Sequence, residues 1–362
     1  MLKINNLEVS LIKGKKPVKI IRGFDLSLEK GEIVGVIGES GSGKTVSSRM
    51  IAGLFEKDES SLDAGNIIFK GKNLSELDEK EMNRIRGREI SYVFQNPAMS
   101  LNPYKKIGKQ LGDFLDTHSI EYSRDSILKT LEEVGISRPE TVLEMYPFQL
   151  SGGQNQRILI CQAILGKPDL LIADEPTTAI DAMLRKKVLD ILIEINKKYG
   201  MAIILITHDF DVAKYICDKL VIMYGGLVVE QGPLKRLLKK PMHPYTDELI
   251  KCASSLDSRE SRLYCLEGSP LAPSHFKDEC PFYERCKYRK ASCSDRIPDV
   301  IEISGVSTRC PVAPSHFKDG CPFYERCKYR KESCTVRKPD VIEISGGSTR
   351  CPVWAMRGGS NG

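Results

Sequence analysis

Three short stretches of the chain are apolar almost without interruption: Glu32–Gly38 (EIVGVIG), Asp169–Asp174 (DLLIAD) and Met201–Thr207 (MAIILIT). They are β-branched and show no two-residue alternation, which predicts strands buried on both faces, as in a parallel sheet. Helical patterns follow two of them, over Gly43–Phe55 (GKTVSSRMIAGLF) and Ala182–Gly200 (AMLRKKVLDILIEINKKYG). Strand and helix in alternation predict an α/β class. Between residues 105 and 165 the strand-like runs fade and helical periodicity takes over, so a helical insertion is expected there. After Pro241–Tyr245 (PMHPY) the texture turns to Ser, Pro, Cys and charged residues, marking a domain boundary.

Composition narrows the class. A chain of 362 residues with 41% apolar content accommodates two or three globular domains. No window approaches the ~20 apolar residues that a membrane helix needs. The start, MLKINNLEVSL, has no basic head before a long apolar run, so no signal peptide is expected. The expected location is the cytosol, at most peripheral to a membrane. A net charge of +6, spread along the chain, is too weak to argue for nucleic acid.

The cysteines are unevenly placed. Only Cys161 and Cys217 precede residue 252, and the other ten crowd the last 111 residues. In a reducing cytosol this favours metal ligation over disulfides. The tail also repeats itself: Ala272–Val312 aligns without gaps to Ala313–Val353, differing at six of 41 positions. Two near-identical copies fall short of the roughly three units that a solenoid needs, so they read as a segment duplication.

Candidate chemistry begins at Gly38–Thr45 (GESGSGKT), which fits G-x-x-x-x-G-K-[ST] between a predicted strand and a predicted helix. Gly38, Ser40, Gly41 and Gly43 form a loop whose backbone N–H groups can curl around phosphate oxygens, and the helix N-terminus adds positive potential. Lys44 is expected to reach the β- and γ-phosphates and Thr45 to ligate Mg²⁺. At Leu171–Pro176 a strand ends in two carboxylates: Asp174 is expected to hold Mg²⁺ through water, and Glu175 to polarise the attacking water. In Gln149–Arg157 (QLSGGQNQR), Ser151, Gly152, Gly153 and Gln154 open a helix that again offers N–H donors to an anion. Two phosphate-binding helix starts in one small domain make sense if the second serves a partner's nucleotide.

Phosphate loop, LSGGQ, ADEP, TAID and ITHD, in this order and spacing, resemble the nucleotide-binding subunit of an ATP-binding cassette (ABC) transporter over about residues 1–250. The resemblance implies a P-loop NTPase fold with a RecA-like core, an antiparallel β subdomain and a helical subdomain at about 100–165. It implies two such domains facing head to tail around two ATP, each signature serine and glycine pair completing the other's site. Gln95 would sense Mg²⁺ and the transmembrane partner, Asp181 would lie between the two sites, and His208 would contact the γ-phosphate. The family's adenine-stacking aromatic aligns with Leu11, so loose base selectivity is expected.

FQNPAMSLNP (Phe94–Pro103) and PMHPYT (Pro241–Thr246) resemble the peptide and nickel branch of importers, and EPTTAID and LITHDF its first ATPase subunit. The resemblance implies two transmembrane permease subunits, a sister ATP-binding subunit in a heterodimer or a second copy in a homodimer, and indirectly an extracellular substrate-binding protein. Peptides are the favoured cargo, with nickel and oligosaccharides as alternatives. A soluble ABC ATPase acting on nucleic acid is the reading from another class; one cassette and no sustained heptads speak against it. The helical insertion should dock a short helix of the membrane subunits; Leu101, Ile107 and Leu111 there fit that role or plain core.

Each tail copy reads C-x5-C-x6-C-x16-C: Cys280, Cys286, Cys293 and Cys310, then Cys321, Cys327, Cys334 and Cys351. Four thiolates suit zinc or an iron–sulfur cluster, and zinc knuckles of C-x₂₋₄-C are absent. The resemblance implies a [4Fe–4S] cluster on such an extension, one or two for this chain. The expected organisation is a nucleotide-binding domain at 1–250, a linker at 251–271, the Cys-rich extension at 272–353 and a tail at 354–362.

Overall fold

The computed structural model describes residues 1–14, 16–56, 58–178, 181–257, 266–303, 305–310, 342–344 and 347–349. It divides into two compact units, Met1–Lys235 with Gly268–Lys277, and Arg236–Glu267 with Asp278–Gly362.

The first unit begins with strands β1 (Leu2–Lys13), β2 (Lys16–Leu28) and β3 (Ile33–Ile37), helix α1 (Lys44–Ile51) and strands β4 (Ser60–Phe69) and β5 (Lys72–Asn73). Helix α2 (Glu79–Ile85), strand β6 (Ile90–Val93) and helices α3 (Pro97–Ser100), α4 (Ile107–Thr117), α5 (Arg124–Glu133), α6 (Pro139–Leu143) and α7 (Gly152–Ile164) follow. The chain then returns to β7 (Leu170–Asp174), α8 (Ala182–Tyr199), β8 (Ala202–Thr207), α9 (Phe210–Ile216), β9 (Lys219–Tyr224) and β10 (Leu227–Pro233).

β1, β2, β4 and β5 form one antiparallel sheet in the order β2-β1-β4-β5. The central sheet of this unit runs β10-β9-β3-β8-β7-β6. Its strands are parallel except for β10, which pairs antiparallel with β9. Every residue of β3, β7 and β8 is buried, as the uninterrupted apolar runs predict. Leu2, Ile4, Phe24 and Phe69 of the first sheet share one core with Val34, Ile172 and Ile204 of the second. At Gly35 a Cβ would lie 2.8 Å from Cys217 Sγ and from Leu220 Cδ2, so glycine there lets α9 and β9 close on β3.

Residues 105–165 carry α4 to α7 with loops between them, and the three apolar side chains in question are core. Ile107 and Leu111 of α4 are fully buried, and so is Leu101. Met99 and Tyr104, just before this stretch, are exposed at 85% and 89%, and Phe148 within it at 72%. The helix expected over Gly43–Phe55 is shorter, ending at Ile51. Gly53 takes a left-handed φ of 61°, and Arg86 draws the helix end closed by donating to the Ala52 and Gly53 carbonyls at 3.2 and 2.6 Å.

Helix α10 (Leu234–Lys239) spans the division between the units. The second unit contains α11 (Pro244–Asp257), the short helix α12 (Ser292–Asp295) and the hairpin β11 (Ile301–Ile303) with β12 (Val306–Thr308). His243 Nδ1 accepts the Tyr245 N–H at 3.1 Å, and Phe282 packs its ring 5.4 Å from that of Tyr245. Strands β13 (Ile342–Ile344) and β14 (Gly347–Thr349) repeat the β11–β12 register in the second tail copy. Among the described residues no helix is long and apolar enough to cross a membrane.

Candidate active site

The order β6-β7-β8-β3 lines up four strand ends. Gln95 follows β6, Asp174 and Glu175 close β7, His208 follows β8, and the glycine loop follows β3. Carboxyl edges of parallel strands are where open α/β sheets bind ligands.

The loop is held by its glycines. A Cβ on Gly38 would collide with the Met223 carbonyl, and Gly43, at φ 101°, would put one 2.5 Å from Ile21 Cδ1. Lys44 is buried and donates to the Gly38 and Glu39 carbonyls at 2.7 and 2.9 Å. Burial lowers its pKa, against the pull of Glu175, Asp174 and Glu39. Ser42 Oγ is buried with no hydrogen-bond partner, a polar atom left for a ligand oxygen to satisfy.

Asp174 is almost fully buried and its pKa is raised by that burial. Thr45 Oγ1 donates to Asp174 Oδ1 at 3.3 Å, and Tyr92 Oη to Oδ2 at 2.8 Å. Thr45 and Asp174 are hard oxygen donors side by side, a pair that suits Mg²⁺ and its waters.

Glu175 stands at φ 47°, a left-handed conformation costly for a non-glycine residue and tolerated where the surroundings enforce it. Its N–H donates to the Ile206 carbonyl at 2.9 Å. Gln95 Nε2 and Thr178 Oγ1 both donate to Glu175 Oε2 at 2.8 Å, and His208 Nδ1 lies 3.0 Å from Oε1. Burial pushes the Glu175 pKa up, but His208 and Thr178 outweigh it and hold the carboxyl below its usual range. Two residues expected to act on the reaction, Gln95 and His208, thus converge with Thr178 on one carboxylate.

Ser151, Gly152, Gly153 and Gln154 sit at the start of α7. Ser151 Oγ accepts the Gln154 N–H at 3.3 Å and Gln154 Oε1 accepts the Ser151 N–H at 2.9 Å, a reciprocal cap. Ser151 and Gly152 are exposed, and the hydrogen bonds of this corner are internal to the helix start. Asp181, also exposed, caps α8 by accepting from Met183 and Leu184 N–H at 3.0 Å.

Tyr92, Thr178 and Arg185 were not singled out by the sequence. Arg185 of α8 donates to Asp209 Oδ2 at 2.6 Å, tying that helix to the residue after His208. Thr178 lies three residues beyond Glu175, a spacing that hinted at its bond; Tyr92 and Arg185 carried no such signal.

In the second unit Cys280 N–H donates to the Cys293 carbonyl at 2.9 Å, closing the first cysteine loop. Burial pushes the Cys280 thiol up to about 11, with the Cys293 and Cys286 charges adding, and raises Cys286 too. Cys293 and Cys310 are buried. Cys280 and Cys286 both feel Cys293. Yet among the described residues no group of three or more His, Cys, Asp or Glu converges closely enough to hold a metal ion. As arranged, the first set does not fit a bound cluster. Cys321, Cys327, Cys334 and Cys351 lie outside the described residues.

Residues 21–178 match the family model described as ABC transporter. Residues 229–293 and 301–334 match that of the oligopeptide/dipeptide transporter C-terminal region. The chain is 40% identical over 302 residues to the dipeptide transport ATP-binding protein DppD of Bacillus subtilis, covering 82% of this chain and 89% of DppD. It is 36% identical over 314 residues to the oligopeptide transport ATP-binding protein AppD of the same organism, covering 86% and 96%. Among solved structures, the dimeric ATP-binding cassette MJ0796, in a post-hydrolysis state with ADP and Pi, superposes with a TM-score of 0.57. The two are 26% identical, over 65% of this chain and 99% of that one.

Proposed function

The chain belongs to the ATP-binding subunits of ABC transporters, in the oligopeptide/dipeptide branch, and on that footing we propose that it hydrolyses ATP at a site completed by a second such subunit. The observation that carries this is the convergence of Gln95, Thr178 and His208 on Glu175, beside the Thr45–Asp174 pair.

Glu175, held ionised and oriented by three neighbours, takes a proton from the attacking water. Lys44 leaves the Gly38 and Glu39 carbonyls to meet the phosphates, aided by the N–H groups of the glycine loop. Thr45 and Asp174 hold Mg²⁺, which when bound offsets phosphate charge. His208 and Gln95 read the γ-phosphate end. Ser151, Gly152, Gly153 and Gln154 open α7, with Ser151 and Gly152 exposed; this helix start serves the nucleotide of the partner, and Asp181 lies between the two sites.

The cargo we propose is di- and oligopeptides, on the strength of the matched C-terminal region and of the relatives' names. The partners are two permease subunits and a sister or identical ATPase, with the chain peripheral to the cytoplasmic face of the membrane. For the cysteine set Cys280, Cys286, Cys293 and Cys310, and its repeat, we propose [4Fe–4S] binding on donor chemistry alone; the thiols must first close on one another.

Glu175→Gln tests the hydrolytic reading. ATP binding by the full chain should persist while phosphate release falls at least ~100-fold, in keeping with loss of a general base. Undiminished turnover in that variant rejects the assignment.

A further inference from the structure

We propose that Tyr92 is a positioning residue for the metal carboxylate, fixing Asp174 from the side opposite Thr45. The inference rests on the reading of Asp174 as a Mg²⁺ ligand.

Four residues from three elements close a ring of hydrogen bonds. Thr45 Oγ1 donates to Asp174 Oδ1 at 3.3 Å, and Tyr92 Oη donates to Asp174 Oδ2 at 2.8 Å. Ser48 Oγ stands 2.9 Å from Tyr92 Oη and 2.9 Å from the Thr45 carbonyl, and completes the circuit. Asp174 and Ser48 are both buried, at 3% and 1% exposure. Without the Tyr92 hydroxyl, Oδ2 would be a buried carboxylate oxygen lacking its donor, free to turn towards the metal side or to drag Oδ1 off Thr45. With it, one oxygen is committed to the protein and the other to the metal pocket. Outer partners of this kind orient ligating carboxylates.

The tyrosine is well placed to be tested by its oxygen alone. Its ring packs 4.8 Å from Phe94 and, with Phe114 and His118, lines a cavity of about 280 Å³. Tyr92→Phe keeps that packing and removes only the donor. Tyr92 also lies three residues before Gln95, so the strand that aims Gln95 at Glu175 is the one pinned to Asp174.

The test is phosphate release by the full chain against free Mg²⁺ at saturating ATP. Tyr92→Phe should raise the half-saturating Mg²⁺ about 10-fold, the lower range for removal of an outer-shell partner. Its maximal rate should approach that of the wild type at high Mg²⁺, and ATP binding in EDTA should not change. Ser48→Ala should shift Mg²⁺ dependence in the same direction by less. An unchanged half-saturation in Tyr92→Phe, or a rate loss that Mg²⁺ does not restore, overturns the proposal. EPR titration of Mn²⁺ with ADP reads the same affinity without turnover. A wild-type chain that does not hydrolyse ATP therefore refutes the proposed function and still leaves this shift to be measured.

Discussion

Leu11 sits half-buried on β1, paired across the sheet with Val18 of β2. The family resemblance places an aromatic ring there, against the base of the nucleotide. An aliphatic pair presents apolar area but no π-face, forgoing the ~0.5–1.5 kcal/mol that stacked rings add beyond burial. Discrimination between purines should therefore be weak: GTP should support at least a hundredth of the ATP turnover, and Leu11→Tyr should tighten ATP binding several-fold. A GTP rate below that fraction contradicts the reading. This departure was legible because it alters a residue type within a motif. So were Gly38, Gly43, Lys44, Asp174, Glu175 and His208, where backbone geometry or charge restricts the choice of side chain. Tyr92 was not, because a tyrosine in a buried strand reads as packing and its partner Asp174 lies 82 residues away in the chain.

At the scale of elements, the sheet was the most legible part. β3, β7 and β8 are buried on both faces and show this as unbroken apolar runs. The end of α1 was not legible, since Arg86, 34 residues beyond Ala52, helps set it. In the helical insertion, periodicity marks Ile107 and Leu111 as one apolar face but does not say what covers it. The structure turns that face inward and leaves Met99 and Tyr104 outside. In the second unit, buried His243 lies just before α11, its pKa lowered to about 3 by burial. Unfolding returns it to the ordinary value of 6.5, so between roughly pH 6.5 and 3 the unfolded state binds the extra proton. Stability should then fall as pH falls through that window, by up to about 1.4 kcal/mol per pH unit. Hydrogen exchange along α11, corrected for intrinsic rates, should lose protection between pH 6.5 and 4, and His243→Gln should flatten the slope. An equal slope in both proteins would rule His243 out as its source.

At the scale of the molecule, an ATP site and a proposed cysteine site share one chain, and among the described residues only the first has its donors assembled. The ATP-site residues arrive at one sheet edge because strand order places them there. The cysteine spacing suggests a ligand set, but spacing alone does not bring four thiols together; on the proposed reading, the contacts that would close them come from the bound cluster. Two equivalent cluster sites predict about eight iron and eight acid-labile sulfide per chain, against about four for one site. A value near four would refute the two-site reading. The exposed start of α7 poses the larger question, since Ser151 and Gly152 offer donors that their own glycine loop does not use. ATP is expected to clamp this domain to a second one through that corner, and light scattering of the Glu175→Gln chain reads this most directly. With ATP, alone or mixed with the sister subunit, the mass should rise to that of a pair, and adding Ser151→Arg should abolish the rise. A chain that stays single with ATP under both conditions, or pairs regardless of Ser151→Arg, contradicts the account.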